Sequence, residues 1–320
     1  MDIIFLDQNK WIELARVEAN KTSSAQLQSL YLQLMAAVNR KEILIPLSLS
    51  HVLETSKRND PVSREHLART QAKLSRGHVI RSRKGRLIIE FRFALKKVFS
   101  EPLIAMPDNW AIVPGFMQAF EQFDELVAPS SDAARSRFIN KHIRPEDQLY
   151  YFLTQQDEDG RRQGIAAFSH GSDGLLERME QRREKMKEFS RTIQWRAYGA
   201  QLFYDHQDIM LSQNESIGKT FEDLRHLSDE TIAKIIDDVP TLNIERHLAV
   251  KLEAQDRALE RNDLLDMHSM CSAIPYSTWV IGENTFINLA KQCKLDKIYG
   301  STLSTNLLDL YDKYGDCPTN

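Results

Sequence analysis

Five acidic residues, far apart in the chain, are placed where their side chains could act together. Asp7 and Glu283 closely follow short apolar runs. Glu54 lies on a helix predicted after a third run, and Asp263 and Asp266 open the helix that leads into the run before Glu283. Such runs are typical of fully buried strands in parallel sheets, whose ligand sites lie beyond the carboxyl ends of the strands. The five residues are Asp7, Glu54, Asp263, Asp266 and Glu283. The sequence therefore predicts one acidic rim at the carboxyl edge of a sheet.

An acidic rim of this kind is unfavourable unless its charge is compensated. Carboxylates a few ångströms apart repel one another and raise each other's pKa. A hard divalent cation relieves the repulsion, because Mg²⁺ prefers oxygen ligands and keeps several of its waters. One or two such ions could activate water and stabilise the charge that develops on a phosphodiester.

Most of these acids also have an interpretation that involves no chemistry. The alternatives are a helix cap for Asp7, a turn for Glu283, the helix dipole for Asp263 and a solvated surface for Glu54. Asp266 is harder to explain in this way, because it lies one turn into a helix whose predicted cap is Asn262. The functional interpretation therefore depends on all of them meeting at one edge.

The pattern around these residues predicts an α/β fold with a helical insertion. The first 77 residues alternate between short apolar runs and helical patterns, which favours a parallel sheet. From about residue 86 to 260 few stretches resemble strands and helical periodicity dominates. The alternation then returns, with a last edge strand predicted at 297–299. We predict a sheet domain formed by residues 1–85 and 256–320, and a helical insertion at 86–255.

Charge is nearly balanced over the 320 residues, but it is unevenly distributed. There are 42 Lys and Arg residues against 45 Asp and Glu residues, for a net charge of −3. Between Lys57 and Lys97, however, 13 basic residues face three acidic ones. Phosphate contacts need Lys and Arg side chains, so this stretch could bind nucleic acid. We predict a phosphate-contacting loop at residues 78–86, and its contacting residues are Arg81, Arg83, Lys84 and Arg86.

The sequence also predicts where the protein is found. No apolar run approaches the length that spans a membrane, and charged residues near the start argue against a signal peptide. Three cysteines form neither a disulfide framework nor a metal-ligand spacing. We expect a cytoplasmic protein that does not contact the membrane.

Three segments resemble the PIN-like nuclease superfamily: Ile-Phe-Leu-Asp-Gln-Asn-Lys-Trp-Ile-Glu-Leu-Ala (4 to 15), Ile-Leu-Ile-Pro-Leu-Ser-Leu-Ser-His-Val-Leu-Glu-Thr (43 to 55) and the stretch 262–286. The pattern of that superfamily is an Asp after the first strand, a Glu on the helix after the second, an Asp opening the helix before the fourth strand, and a final acid after that strand. Asp7, Glu54, Asp263 or Asp266, and Glu283 match it in order. The last acid is usually Asp, and Glu283 is longer by one methylene. The resemblance covers roughly the first 80 and last 65 residues.

The resemblance implies a PIN-like, Rossmann-type parallel sheet and a metal-dependent endonuclease that favours RNA over DNA. Mg²⁺ or Mn²⁺ would be held by Asp7, Glu54, Asp263 and Asp266, while Glu283 would support a ligand or a water. A free intracellular nuclease is hazardous, so we expect control by a regulatory protein partner or by homo-oligomerisation, as for a toxin or an anti-phage defence effector.

Two other functions remain open at this stage. A catalytically inactive PIN-like scaffold could bind nucleic acid or a partner protein. A phosphoryl hydrolase acting on small nucleotides could use the same rim.

Overall fold

The structure, a computed structural model, describes residues 1–22, 24–103, 105–120 and 131–314. It is mostly helical and contains a small parallel sheet, which makes the fold α/β-like. The chain divides into two compact units. The first comprises Met1–Ser82, Ala111–His170 and Tyr276–Asn320, and the second comprises Arg83–Trp110 and Gly171–Pro275.

A four-stranded parallel sheet lies in the first unit. Its strands are β1 (Asp2–Leu6), β2 (Ile43–Leu44), β5 (Trp279–Ile281) and β6 (Thr302–Ser304), in the order β2-β1-β5-β6. In the register Leu6 is opposite Ile281, and Ile281 is opposite Ser304. The ends of the three strands β1, β5 and β6 are therefore level at one edge, as the predicted rim requires.

The central strand is apolar because both of its faces are covered. Ile4, Phe5 and Leu6 are fully buried, and Trp11 and Leu14 of the following helix are buried as well. A continuous apolar run is the pattern expected for a strand packed on both sides. The helices of the first unit are α1 (Gln8–Glu18), α2 (Ala25–Asn39), α3 (Leu49–Ser56), α4 (Pro61–Ser75), α6 (Ser131–His142), α7 (Pro145–Gln155), α15 (Asn284–Gln292), α16 (Leu295–Tyr299) and α17 (Tyr311–Tyr314).

Two more strands form an antiparallel pair beside this sheet. They are β3 (His78–Ile80) and β4 (Ile112–Pro114), paired through Val79 and Val113. Leu47 lies alongside β3, donating its N–H to the His78 carbonyl at 3.0 Å and accepting the Ile80 N–H at 2.7 Å.

The last strand is not where the sequence predicted it. Residues 297–299 belong to the one-turn helix α16, and the strand follows at Thr302–Ser304. Lys294 and Gly300 flank this helix with positive φ angles of 57° and 70°. The left-handed residues begin and end a single turn, so the apolar Ile298 cannot continue as a strand.

The second unit is helical. Its helices are α5 (Arg83–Val98), α9 (Arg191–Asp205), α10 (Gln207–Ser216), α11 (Phe221–Arg225), α12 (Asp229–Asp237), α13 (Pro240–Glu253) and α14 (Arg261–Ala273), while α8 spans Glu158–Met186. Buried Leu248 and Leu252 of α13 and Met270 of α14 belong to its interior. This division differs from the predicted one, which places the domain boundaries at residues 85 and 255. The first unit includes residues 111–170, and the second includes residues 256–275. No helix in the described ranges is long and apolar enough to cross a membrane.

Candidate active site

Asp7 stands at the carboxyl end of the central strand and begins α1. It occupies the N-cap position, with φ −65° and ψ 160°, yet its side chain makes no capping hydrogen bond. Its own N–H donates to the Ile281 carbonyl at 2.8 Å, which fixes the end of β1 against the end of β5. The side chain is 9% exposed. Capping therefore does not explain why an acid occupies this position.

Glu283 reaches the same edge from the end of β5. It is the N-cap residue of α15, and its side chain also makes no capping hydrogen bond. Instead the Nδ2 group of Asn9, on α1, donates a hydrogen bond to Glu283 Oε1. Asn9 therefore orients this carboxylate. The bond joins residues 274 positions apart in the chain.

Glu54 is held near these two residues by a buried ring of polar side chains. Gln8 Nε2 donates to Thr55 Oγ1 at 3.1 Å, Thr55 Oγ1 donates to Gln71 Oε1 at 3.0 Å, and Gln71 Nε2 donates to Gln8 Oε1 at 3.4 Å. The ring joins α1, α3 and α4. Gln8 and Thr55 immediately follow Asp7 and Glu54 in the chain, so the ring sets the spacing of the two acids.

Sequence reasoning did not identify this ring of Gln8, Thr55 and Gln71. Each member is a neutral polar residue at a helical position, and no short-range pattern distinguishes it from a surface residue. A weak signal was available for Gln71, because it lies between buried Leu67 and Leu74 on the apolar face of α4.

The three acids share one electrostatic field. Burial, opposed by the Gln8 N–H and assisted by the charge of Glu283, raises the pKa of Asp7 to about 6. Burial, together with the charges of Asp7 and Glu283, raises the pKa of Glu54 to about 7. Lys10 lowers the pKa of Asp7, and Lys57 and Arg58 lower that of Glu54, without cancelling the rise. The site thus holds two carboxyl groups that a nearby cation would ionise.

His51, close to Glu54 in sequence, is a structural residue. Its Nδ1 accepts the Ser48 N–H at 2.9 Å, so the ring proton is on Nε2. The imidazole packs on Phe5, with ring centroids 5.0 Å apart. Burial lowers the pKa of His51 to about 3, which keeps it neutral.

The remaining two predicted acids, Asp263 and Asp266, lie on α14 in the second unit. Asp263 accepts two hydrogen bonds from the Arg257 guanidinium, at 2.7 and 2.6 Å, and a third from the Glu260 N–H at 2.8 Å. Glu260, rather than the predicted Asn262, is the N-cap of this helix. The Arg257 pair and the Glu260 N–H, although opposed by burial, lower the pKa of Asp263. Asp263 therefore stabilises the start of α14, and Asp266 is half-buried one turn later.

The predicted phosphate-binding residues do not form an exposed loop. Arg81 and Arg86 are 5% and 3% exposed, and α5 already begins at Arg83. Arg83 pairs with Glu245, and Arg86 Nε donates to Thr241 Oγ1 at 3.4 Å. Only Lys84 of the four is exposed. The prediction of a loop here is wrong, because Arg83 and Arg86 instead pair with an acid and a hydroxyl far away in the chain. Nucleic-acid contact by Lys84 stays a prediction.

The donor chemistry of the rim suits a hard cation, since it offers carboxylate oxygens from Asp7, Glu54 and Glu283. In the part of the chain that the structure describes, however, no three or more His, Cys, Asp or Glu side chains are grouped closely enough to hold an ion.

Comparison with known proteins does not extend this description: no family model, curated protein or solved structure matches the chain.

Proposed function

We propose that this protein is a metal-dependent endonuclease that cleaves phosphodiester bonds, with RNA favoured over DNA. The observation that supports the proposal concerns three acids from distant segments at the carboxyl edge of the sheet: the charge of Glu283 helps to raise the pKa of Asp7, and the charges of Asp7 and Glu283 help to raise that of Glu54. Capping explains neither Asp7 nor Glu283. Asp7 is buried and Glu54 half-buried, while Glu283 is exposed; desolvated carboxylates are costly, and proteins retain them chiefly where they have a function.

The residues have distinct roles in this proposal. Asp7 and Glu54 bind Mg²⁺ or Mn²⁺ once both are ionised, and Glu283, held by Asn9, positions a ligand or a water. The PIN-like pattern takes a further acid from α14. Asp263 is engaged by Arg257 and by the Glu260 N–H, and the choice between Asp263 and Asp266 for that role stays a prediction. The bound cation would supply an activated water and charge stabilisation at the phosphate.

The biological context that we propose is a toxin or an anti-phage defence effector of the cytoplasm. An intracellular nuclease requires control, so the proposal includes a regulatory protein partner or a homo-oligomer.

A second candidate function is an inactive PIN-like scaffold that binds nucleic acid or a partner protein. Two observations favour it. Glu283 is longer than the Asp that is usual at its position, and its carboxylate already accepts a hydrogen bond from Asn9. A scaffold would bind RNA equally well with and without a divalent cation.

The two functions are separated by cleavage assays with labelled single-stranded RNA and DNA of matched sequence. Wild type is incubated with Mn²⁺, with Mg²⁺ or with chelator, alongside Asp7→Asn and the control Glu42→Gln. Glu42 is an exposed acid paired with Arg40 at the amino end of β2. We expect cation-dependent cleavage by wild type and Glu42→Gln, faster on RNA, and none by folded Asp7→Asn. Cleavage retained by Asp7→Asn, or absent from wild type with either cation, contradicts the proposal.

A further inference from the structure

A small basic cavity lies on the first unit between α1, the end of α3 and α4. Its volume is about 150 Å³. The polar side chains around it are Arg16, Lys21, Arg58, Ser63 and His66, and its apolar wall is formed mainly by Ile12, Ala15 and Leu67. All the titratable side chains that line it are basic. Asp60 lies between Arg58 and Ser63 in the chain but does not line the cavity. Its carboxylate caps α4 by accepting the Ser63 N–H at 2.9 Å.

The fold holds these cations together by separate devices. Arg16 is in the last turn of α1. Asn20 then takes a positive φ of 53°, the Asn20 N–H bonds to the Val17 carbonyl at 3.0 Å, and the Lys21 N–H bonds to the Arg16 carbonyl at 2.8 Å. This Schellman motif turns the chain back and brings Lys21 beside Arg16. On the facing side, Arg58 Nη1 donates to Ser63 Oγ at 3.1 Å, which anchors that guanidinium.

Helix termini alone would account for some of these charges, since cations near a helix C-terminus are favourable. That explanation fits Arg16 and Arg58 but not His66, which lies in the first half of α4. Within the described residues, the side chains of Arg16, Lys21 and His66 form no hydrogen bond or ion pair. Several cations facing one cavity without a lining acid repel one another, and an anion would relieve that repulsion.

The size of the cavity indicates the kind of anion. It is smaller than the roughly 300–1,000 Å³ usual for small-molecule pockets. Its apolar wall is aliphatic, and His66 supplies the one flat ring in the lining, whereas bases bind single-strand sites chiefly by stacking on aromatic side chains. The lining therefore suits a single oxyanion, such as one phosphate of a longer chain, and not a nucleobase.

Arg58 connects this cavity to the acidic rim, because it lines the cavity just after the end of α3, the helix that carries Glu54 four residues earlier. We propose that the cavity of Arg16, Lys21, Arg58 and His66 binds a backbone phosphate of the RNA strand beside the phosphate that is cleaved at Asp7 and Glu54. This inference rests on the proposed nuclease function for the identity of the ligand. Backbone phosphate contacts of this kind fix the register of a strand and carry no sequence information.

The test measures binding of labelled single-stranded RNA in chelator over a range of salt concentrations. Wild type is compared with Arg16→Gln/Lys21→Gln and with the control Lys291→Gln/Lys297→Gln, whose lysines are exposed in the same unit. Loss of this one phosphate contact should reduce the slope of log affinity against log salt by about 0.7 and weaken binding roughly 5-fold at ~0.1 M salt. The control should match wild type, and all three proteins should melt at the same temperature.

Several outcomes overturn the inference. Unchanged affinity and slope in Arg16→Gln/Lys21→Gln do so, and so does an equal loss in the lysine control. Polyglutamate that binds as tightly as RNA through the same two residues would show a general polyanion surface instead. The proposed function fails separately: wild type that binds RNA through this cavity but cleaves none with Mn²⁺ leaves the phosphate site standing and removes the nuclease.

Discussion

Replacing Asp7 with asparagine should make the cation-free protein more stable. Burial and the charge of Glu283 raise the pKa of Asp7 from 3.8 to about 6. Each pKa unit corresponds to about 1.4 kcal/mol, so the ionised carboxylate costs up to about 3 kcal/mol above pH 7. Asparagine has nearly the same shape, keeps an acceptor for the Gln8 N–H and carries no charge. Because the surroundings of Asp7 and Glu283 relax in part, we expect Asp7→Asn to raise the free energy of unfolding by about 1–3 kcal/mol.

The pH dependence of this gain identifies its cause. A carboxyl group whose pKa is raised in the folded state stabilises the fold fully below its unfolded pKa, and that stability is lost as the pH rises through about 6. Wild type and Asp7→Asn should therefore be equally stable below about pH 4 and diverge by about pH 8.

The assay is thermal unfolding in chelator at several pH values, where each kcal/mol moves Tm by about 2–4 °C for a unit of this size. Glu42→Gln is the control and should show no gain, because Arg40 lowers the pKa of that exposed acid. Equal melting temperatures for wild type and Asp7→Asn at pH 8, or a gain that persists unchanged at pH 4, would refute the reasoning.

Three further predictions concern the site and its supports. Divalent cations should raise the Tm of wild type more at about pH 8 than at about pH 5, because protons compete for Asp7 and Glu54, whose pKa values are about 6 and about 7; a shift independent of pH in thermal melts contradicts this. Thr55→Val should cost about 1–3 kcal/mol in urea unfolding, because it leaves Gln8 and Gln71 without a shared buried partner, and an unchanged midpoint would count against the polar ring. Gly77→Ala should lower Tm by more than its α4 neighbour Lys73→Ala, because Gly77 has φ +69° and an added Cβ would lie 2.3 Å from the Pro145 carbonyl carbon; comparable melting of the two variants would contradict the close approach.

The sheet could be predicted because its signal is local. A strand buried on both faces must be apolar throughout, and Ile3–Leu6 and Trp279–Ile281 are short enough to exclude helices. The acids that follow these runs must then lie at the carboxyl edge, and the register of Leu6 opposite Ile281 places Asp7 and Glu283 there.

Features that depend on distant partners could not be predicted. Arg81 to Arg86 has the composition of an exposed basic loop, but Glu245 and Thr241, more than 150 positions away, pair with its arginines. The same holds for the Gln8, Thr55 and Gln71 ring. Its members are unremarkable polar residues until the fold brings three helices together.

The type of a short element near left-handed residues could not be predicted either. The Lys-Ile-Tyr sequence at 297–299 suits a strand or a helix equally, and the positive φ of Lys294 and Gly300 decides for one turn of helix. The predicted N-cap of α14, Asn262, lies two residues after the observed one, Glu260. Asn262 is the better capping residue by type, yet Asp263 accepts the Glu260 N–H and sets the helix start there.

The most direct test of the account is a titration of the protein with Mn²⁺, followed by electron paramagnetic resonance of the free ion at about pH 8, where both raised carboxyl groups are ionised. Wild type and Glu42→Gln should each remove at least one equivalent of Mn²⁺ from solution, and Asp7→Asn and Glu54→Gln should each bind it much more weakly. Wild type that leaves Mn²⁺ free, or Asp7→Asn and Glu54→Gln that bind as wild type does, would contradict the claim that these acids form a cation site.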